Sequence, residues 1–224
     1  MQKYPGWARA LPFATYMIFI AVQQGATSFF EIAPDSSLVA LFYPLKIAVT
    51  TAVLLFFWSS YDELKNMAWP LKQVAAATVT GIIVLVIWVN LDLPFAKMDG
   101  GTSFNPLLLP GIYAELYIAV RLFGASLIVP VFEEIFWRSF LLRYIINPDF
   151  MKVKLGTFTW LSFILGSILF GLEHHLWLAG IIAGAIYALL LYRYNNLWAA
   201  IIAHGVTNLG LGIYVLYTGE WHFW

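Results

Sequence analysis

The chain reads as an all-α, polytopic transmembrane helix bundle of seven or eight spans with a polar site inside the membrane. Three observations predict this. Of its 224 residues, 62% are hydrophobic and only 11% charged, against about a quarter charged in soluble chains, so the polar surface that disperses a soluble chain is missing. The apolar residues fall into runs of roughly 20 or more, the length an α-helix needs to cross a bilayer. The ionisable groups that do interrupt those runs gather in three short clusters.

The first run, Ala10–Phe30, follows the positive residues Lys3 and Arg9. It is longer than the apolar core of a secretory signal and has no small-residue cleavage site, so it is expected to be a retained anchor. Leu38–Trp58 and Leu71–Leu91 follow. The fourth run, Ile112–Ile146, would reach roughly 50 Å at 1.5 Å per residue, too long for one perpendicular crossing. Pro130 lies near its middle, so it is either one tilted, kinked helix or two. Gly156–Leu172, Leu176–Tyr194 and Leu197–Tyr217 complete the set.

Turn chemistry separates the runs: Ala33-Pro-Asp-Ser-Ser, Ser59-Ser-Tyr-Asp-Glu, the stretch from Met98 to Pro106, Asn147-Pro-Asp and Asn195-Asn196. No repeat, low-complexity stretch or long polar segment is present, which predicts a single integral membrane domain over residues 1–224. With the N-terminus cytoplasmic, seven crossings put Lys3, Arg9, Lys65, Lys72, Arg143, Lys152, Lys154 and Arg193 on the inner side and only Lys97 in the outer loops. An eighth crossing would carry Lys152 and Lys154 outside, so the charge pattern prefers seven. The 12 basic and 12 acidic residues balance, which gives no net field toward nucleic acid. With no cysteine, disulfides, thiolate metal sites and a cysteine nucleophile are excluded.

The first polar cluster is Glu133, Glu134 and Arg138. A carboxylate in hydrocarbon costs a few kcal/mol, and two neighbours repel one another. Glu134 and Arg138 are four apart, on one helical face, and can pair, whereas Glu133 points roughly 100° away. Two carboxylates for one guanidinium leave a surplus acid suited to general-base work; the alternative is that both bridge helices through Arg138. The second cluster is Glu173, His174 and His175, at the end of a span. For His175 an interfacial role is the simpler account; Glu173 is a candidate third catalytic carboxylate, but a helix-end acid near the interface is the simpler account there too, and for His174 an interfacial role competes with a role in a site. The third cluster, His204 and Asn208, again four apart, is either a donor pair for a developing oxyanion or helix–helix glue. Counting from the inner ends of their spans, Glu133 lies roughly 20 Å deep, His174 about 27 Å and His204 about 11 Å, so tilt, the Pro130 kink and a wet cavity would have to bring them together.

These residues resemble the motifs of the CPBP family, the CAAX-protease and bacteriocin-processing intramembrane proteins that include the eukaryotic type II CAAX prenyl endopeptidases. Glu133, Glu134 and Arg138 match Glu-Glu-x-x-x-Arg; Phe170 and His174 match Phe-x-x-x-His; His204 and Asn208 match His-x-x-x-Asn. The three motifs stand in order over residues 112–212, the catalytic-motif core. Two positions depart from the common pattern: Ser139 stands where many members have Gly, and Trp137 is bulky, which alters packing around the pair. More narrowly, the stretch from Ile128 to Phe140 is similar to the bacterial CAAX-protease-related branch associated with exosortase sorting systems.

The resemblance implies an intramembrane endopeptidase with a peptide or protein substrate in the membrane, in a bacterial inner membrane, linked to an exosortase-type sorting system. It implies that Glu133, assisted by His174, activates water, that His204 and Asn208 hold the oxyanion, and that Glu134 paired with Arg138 fixes the geometry. No cofactor is favoured. Zinc held by Glu133, His174 and His204 is the competing version, although no His-Glu-x-x-His helix is present. A non-proteolytic membrane chaperone or immunity factor on the same scaffold, or a proton-coupled transporter, are the other classes compatible with such residues.

Overall fold

The computed structural model describes residues 5–32, 36–65, 69–98 and 104–224. Lys3 and the turn residues at 33–35 and 99–103 therefore lie outside the described residues. Seven long helices carry the described chain: α1 (Pro5–Phe29), α2 (Ser37–Phe56), α3 (Leu71–Asn90), α4 (Ile112–Ile146), α5 (Trp160–Leu172), α6 (Trp177–Tyr194) and α7 (Leu197–Thr218). Among the described residues there is no strand. Each helix falls on one of the runs expected from the sequence, but five of them, α2, α3, α4, α6 and α7, are long and apolar enough to cross a membrane. Helix α1 has 25 residues, but Gln23 and Gln24 dilute its apolar character. Helix α5 has 13, or about 20 Å, because the expected run began at Gly156 and the helix starts only at Trp160, where Thr159 accepts the Ser162 N–H.

The connections use the expected turn chemistry. Asn195 ends α6 in the left-handed region at φ 50°, and Asn196 then caps α7 by accepting the Trp198 N–H through its side chain at 3.0 Å. One Asn-Asn pair thus closes one helix and opens the next. Helix α7 is central: it packs on α3, α6 and the middle of α4, while α5 lies along α6, and α1 and α2 lie along the two halves of α4. Helices α3 and α7 approach closely at Gly81, where an added Cβ would sit 2.4 Å from the Ala203 carbonyl oxygen. Because Ala203 precedes His204, Gly81→Ala is expected to push α7 out of register with the other helices. The cost should be about 1–3 kcal/mol, read as a lower melting temperature in detergent together with reduced activity.

Large apolar side chains face outward on the long helices, including Val79, Ile82, Ile83 and Val86 of α3 and Leu161, Ile164 and Leu165 of α5. A surface of that kind suits lipid and not water. At one end of the bundle, Arg9 is fully buried. It binds Glu63 through two nitrogens at 2.8 and 2.7 Å and donates to the Pro5 and Ser60 carbonyls. Ser139 accepts from Arg9 and from Arg143 and is bonded to Glu63. Burial alone would raise the Glu63 carboxyl, but Arg9 and Ser139 outweigh it and hold the group below its usual range. Arg9, expected as a loop charge, instead ties α1 to the α2–α3 connection and to Ser139 of α4, while Arg143 donates to Ser139 and to the Val153 carbonyl beyond α4.

Candidate active site

Helix α4 is one continuous helix of 35 residues, which decides between the two readings of the Ile112–Ile146 run. Its length is accommodated by two π-helical stretches, Gly124–Ile128 and Ile135–Leu141, one on either side of the glutamate pair. The first has a consequence for the site. The Val129 N–H donates five residues back, to the Gly124 carbonyl, and Pro130 has no N–H. The Ala125 carbonyl is therefore left without its i+4 or i+5 donor. Asn208 of α7 supplies one, its amide donating to Ala125 at 2.9 Å. Beside it, Gly205 lets α7 approach the Ser126 carbonyl, which an added Cβ would meet at 2.7 Å. The proline thus opens a patch of backbone against which the third motif docks.

Between the π-stretches, Glu133 and Glu134 are both buried and divide as the helical spacing predicts. Glu134 pairs with Arg138 Nε at 3.0 Å, and its other oxygen accepts from His204 Nδ1 at 2.9 Å. Arg138 also donates to the Gly184 carbonyl at 3.1 Å and lies over the Phe170 ring at 4.3 Å. Glu133 faces the opposite edge of the same imidazole, its Oε2 standing 3.9 Å from His204 Nε2. That oxygen is buried and makes no hydrogen bond within the protein. A small side-chain rotation would close the gap to hydrogen-bond length.

His204 is fixed on its faces as well. Its ring stacks on Tyr187 with centroids 5.1 Å apart and meets Phe170 edge-on. The Tyr187 hydroxyl donates to Thr207 at 2.8 Å, and Thr207 in turn lies 2.9 Å from the Gly81 carbonyl. His174 sits one turn beyond Phe170 with Nδ1 2.7 Å from the Phe170 carbonyl, so Nδ1 carries the proton and Nε2 is left as an acceptor. It is not within ion-pair distance of Glu133; the imidazole Glu133 meets is that of His204.

A cavity of about 460 Å³ joins these groups and is lined by Glu133, His174, His204 and Asn208 among others. The chain thus brings together residues whose depths, counted along straight helices, differ. Three residues of the cavity wall, Glu173, Tyr187 and Thr207, were not among the site residues expected from the sequence. Glu173, expected at the interface, lines the cavity and accepts from Trp137 Nε1 at 3.0 Å; the bulk of Trp137 serves to hold it. Tyr187 has no local signal in the sequence, whereas Thr207 lies inside the third motif and could have been found there. For the zinc alternative, no group of three or more His, Asp or Glu side chains among the described residues is spaced to hold a metal ion.

Residues 114–210 match the family described as Type II CAAX prenyl endopeptidase Rce1-like. The matched stretch contains all three motifs, and the resemblance stated from them is borne out over that region. Together with the five long apolar helices, it fits an integral membrane protein of CAAX-protease type. Neither the curated proteins nor the solved structures contain a match to this chain.

Proposed function

We propose, from the match of residues 114–210 to the Rce1-like CAAX endopeptidases, that this chain is an intramembrane endopeptidase in which Glu133 activates water. The observation that carries the reading is the division of labour between neighbouring carboxylates. Glu134 is neutralised by Arg138 and bonded to His204, while Glu133 faces the cavity with a buried oxygen that no protein donor reaches.

In this mechanism a water in the cavity gives its proton to Glu133 as its oxygen attacks the scissile carbonyl. Glu134 holds His204 by Nδ1, so that Nε2 is presented to Glu133 and the reacting atoms. Asn208 spends one amide N–H on Ala125 and has a second to offer to the tetrahedral oxyanion, with His204 beside it. His174, through its free Nε2, orients the attacking water alongside Glu133. The proton taken from water passes to the leaving nitrogen as the C–N bond breaks, and the products are a carboxylate and an amine. Each step uses a side chain of this chain, with no covalent intermediate.

The Lys/Arg bias of the loops, with Lys65, Lys72, Lys152, Lys154 and Arg193 on one side against Lys97 on the other, favours a cytoplasmic N-terminus; a bacterial inner membrane rests only on the resemblance of the stretch from Ile128 to Phe140. On this reading the substrate is a membrane-associated, C-terminally processed peptide without a prenyl group, and an exosortase-type sorting system is the partner. Two measurements test the proposal. Deleting the chain should cause uncut membrane peptides to accumulate, identifiable by mass spectrometry of the membrane fraction; an unchanged peptide profile counts against it. Purified protein should cleave those peptides after chelation with no loss of rate, whereas stoichiometric zinc with chelator-sensitive cleavage would overturn the glutamate mechanism.

A further inference from the structure

Glu173 lines the cavity beside Glu133, and the mechanism leaves it without a task. It is the C-cap of α5, where the carbonyl end of the helix disfavours an anion. Helix α5 has only 13 residues, about 20 Å, against a hydrocarbon core of about 30 Å. It starts after the exposed Lys152 and Lys154, so Glu173 stops short of the far surface and is held within the thickness of the membrane. There its carboxylate has one donor, the neutral indole Nε1 of Trp137 at 3.0 Å. Among the described residues no Lys, Arg or His stands at ion-pair distance from it. Arg138 is taken by Glu134. Arg121, a cation of the cavity wall, lies against the Tyr43 and Trp224 rings in a smaller pocket that it shares with Lys46. A second carboxylate points into the same cavity unanswered: Glu133 is 4% exposed, and its Oε2 has no donor within the protein. The wall between is aromatic, with Trp88, Phe170 and Tyr187, a surface that favours a cation.

We infer that Glu173 binds the side chain of a substrate lysine or arginine, and so selects peptides that carry a positive residue beside the bond that is cut. The inference rests on the proteolytic reading of the cavity. A carboxylate at this depth calls for a partner, and its place at a helix C-terminus adds to that demand. A substrate ammonium or guanidinium supplies the partner through charge-assisted hydrogen bonds, while its aliphatic stem lies along the aromatic wall. Trp137 fixes one carboxylate oxygen through a neutral donor, which sets the position of Glu173 without cancelling its charge. His174, the residue that orients the attacking water, follows Glu173 directly, so their Cα atoms are about 3.8 Å apart. An extended peptide advances about 3.3 Å per residue, which puts the bound cation within about two residues of the scissile bond. Glu173 thus acts on specificity and transfers no proton.

The test uses the full-length Glu133→Gln protein in phosphatidylcholine nanodiscs, which removes the second unanswered carboxylate and presents no anionic lipid. Two pools of apolar hexapeptides, capped with a neutral dye at the N-terminus and amidated at the C-terminus, differ only in carrying lysine or norleucine at one internal position. The lysine pool is expected to bind at least tenfold more tightly. Adding Glu173→Gln, which keeps an acceptor for Trp137, should remove that preference and leave the norleucine pool unchanged. Equal binding of the two pools, no binding of either, or a preference that survives Glu173→Gln overturns the inference. A second measurement needs no Glu173 variant that folds: carbodiimide coupling, mapped by mass spectrometry, should join the peptide lysine to Glu173, and coupling only to other carboxylates overturns the inference as well. Because binding is read on a variant built not to cut, it is separate from the proteolytic reading. That reading fails if the wild-type chain leaves the peptides that accumulate on its deletion uncut, whatever Glu173 binds.

Discussion

Glu133→Gln is expected to abolish peptide cleavage, lowering kcat by about 10²–10⁴-fold, with little change in melting temperature. The substitution keeps the shape and removes the proton acceptor. Little stability is lost because the Glu133 Oε2 atom makes no hydrogen bond within the protein, and a neutral amide is cheaper to bury than a carboxylate. Cleavage rates of the substrate peptides, measured beside thermal unfolding in one detergent, check both halves. A variant that cuts at the wild-type rate would remove Glu133 from the mechanism. One that fails to fold would make it a structural residue.

Glu134→Gln, one position on, should behave differently. It leaves Arg138 without its ion-pair partner at 3.0 Å and replaces the acceptor that holds His204 Nδ1 at 2.9 Å. Removing one member of a buried pair typically costs about 3–5 kcal/mol, because the other charge stays behind uncompensated. The variant is therefore expected to lose both melting temperature and activity. Removing the orphaned charge as well, in Glu134→Gln with Arg138→Met, should recover much of the stability and none of the activity. If the double variant melts no higher than the single one, the pair is not what Glu134 contributes. The contrast between neighbouring glutamates is the sharper test: similar losses of stability at both would dissolve the division of labour.

Part of this arrangement follows from local helix geometry. Glu134 with Arg138, and His204 with Asn208, are four residues apart, and that spacing alone puts each pair on one face. The roughly 100° between Glu133 and Glu134 likewise anticipates that they meet different partners. Contacts between helices have no such rule. Pairing of Glu134 with His204, and of Glu133 with that same imidazole instead of His174, depends on the rotation of α4 against α7. The π-stretches at Gly124–Ile128 and Ile135–Leu141 alter that rotation, and periodicity in the sequence does not reveal them. Pro130 signalled a disturbance; the structure shows it as an unpaired Ala125 carbonyl taken up by Asn208. Glu173 illustrates the opposite case: it looked interfacial from its place at a helix end, yet the Trp137 indole draws it to the cavity wall.

The helical architecture and the membrane-like composition are legible in the amino-acid order alone, because apolar run length and the spacing of turn residues are properties of a single segment. So are the three motifs and the pairs within them, which a regular helix fixes at short range. Which imidazole faces Glu133, the capping of an opened backbone by Asn208 and the pocket shared by Lys46 and Arg121 beside the cavity come from the packing of the helices. These depend on how far one helix turns and slides against another. That is set by where glycines permit close approach and where proline denies the backbone a donor, and it is a balance struck across the whole bundle.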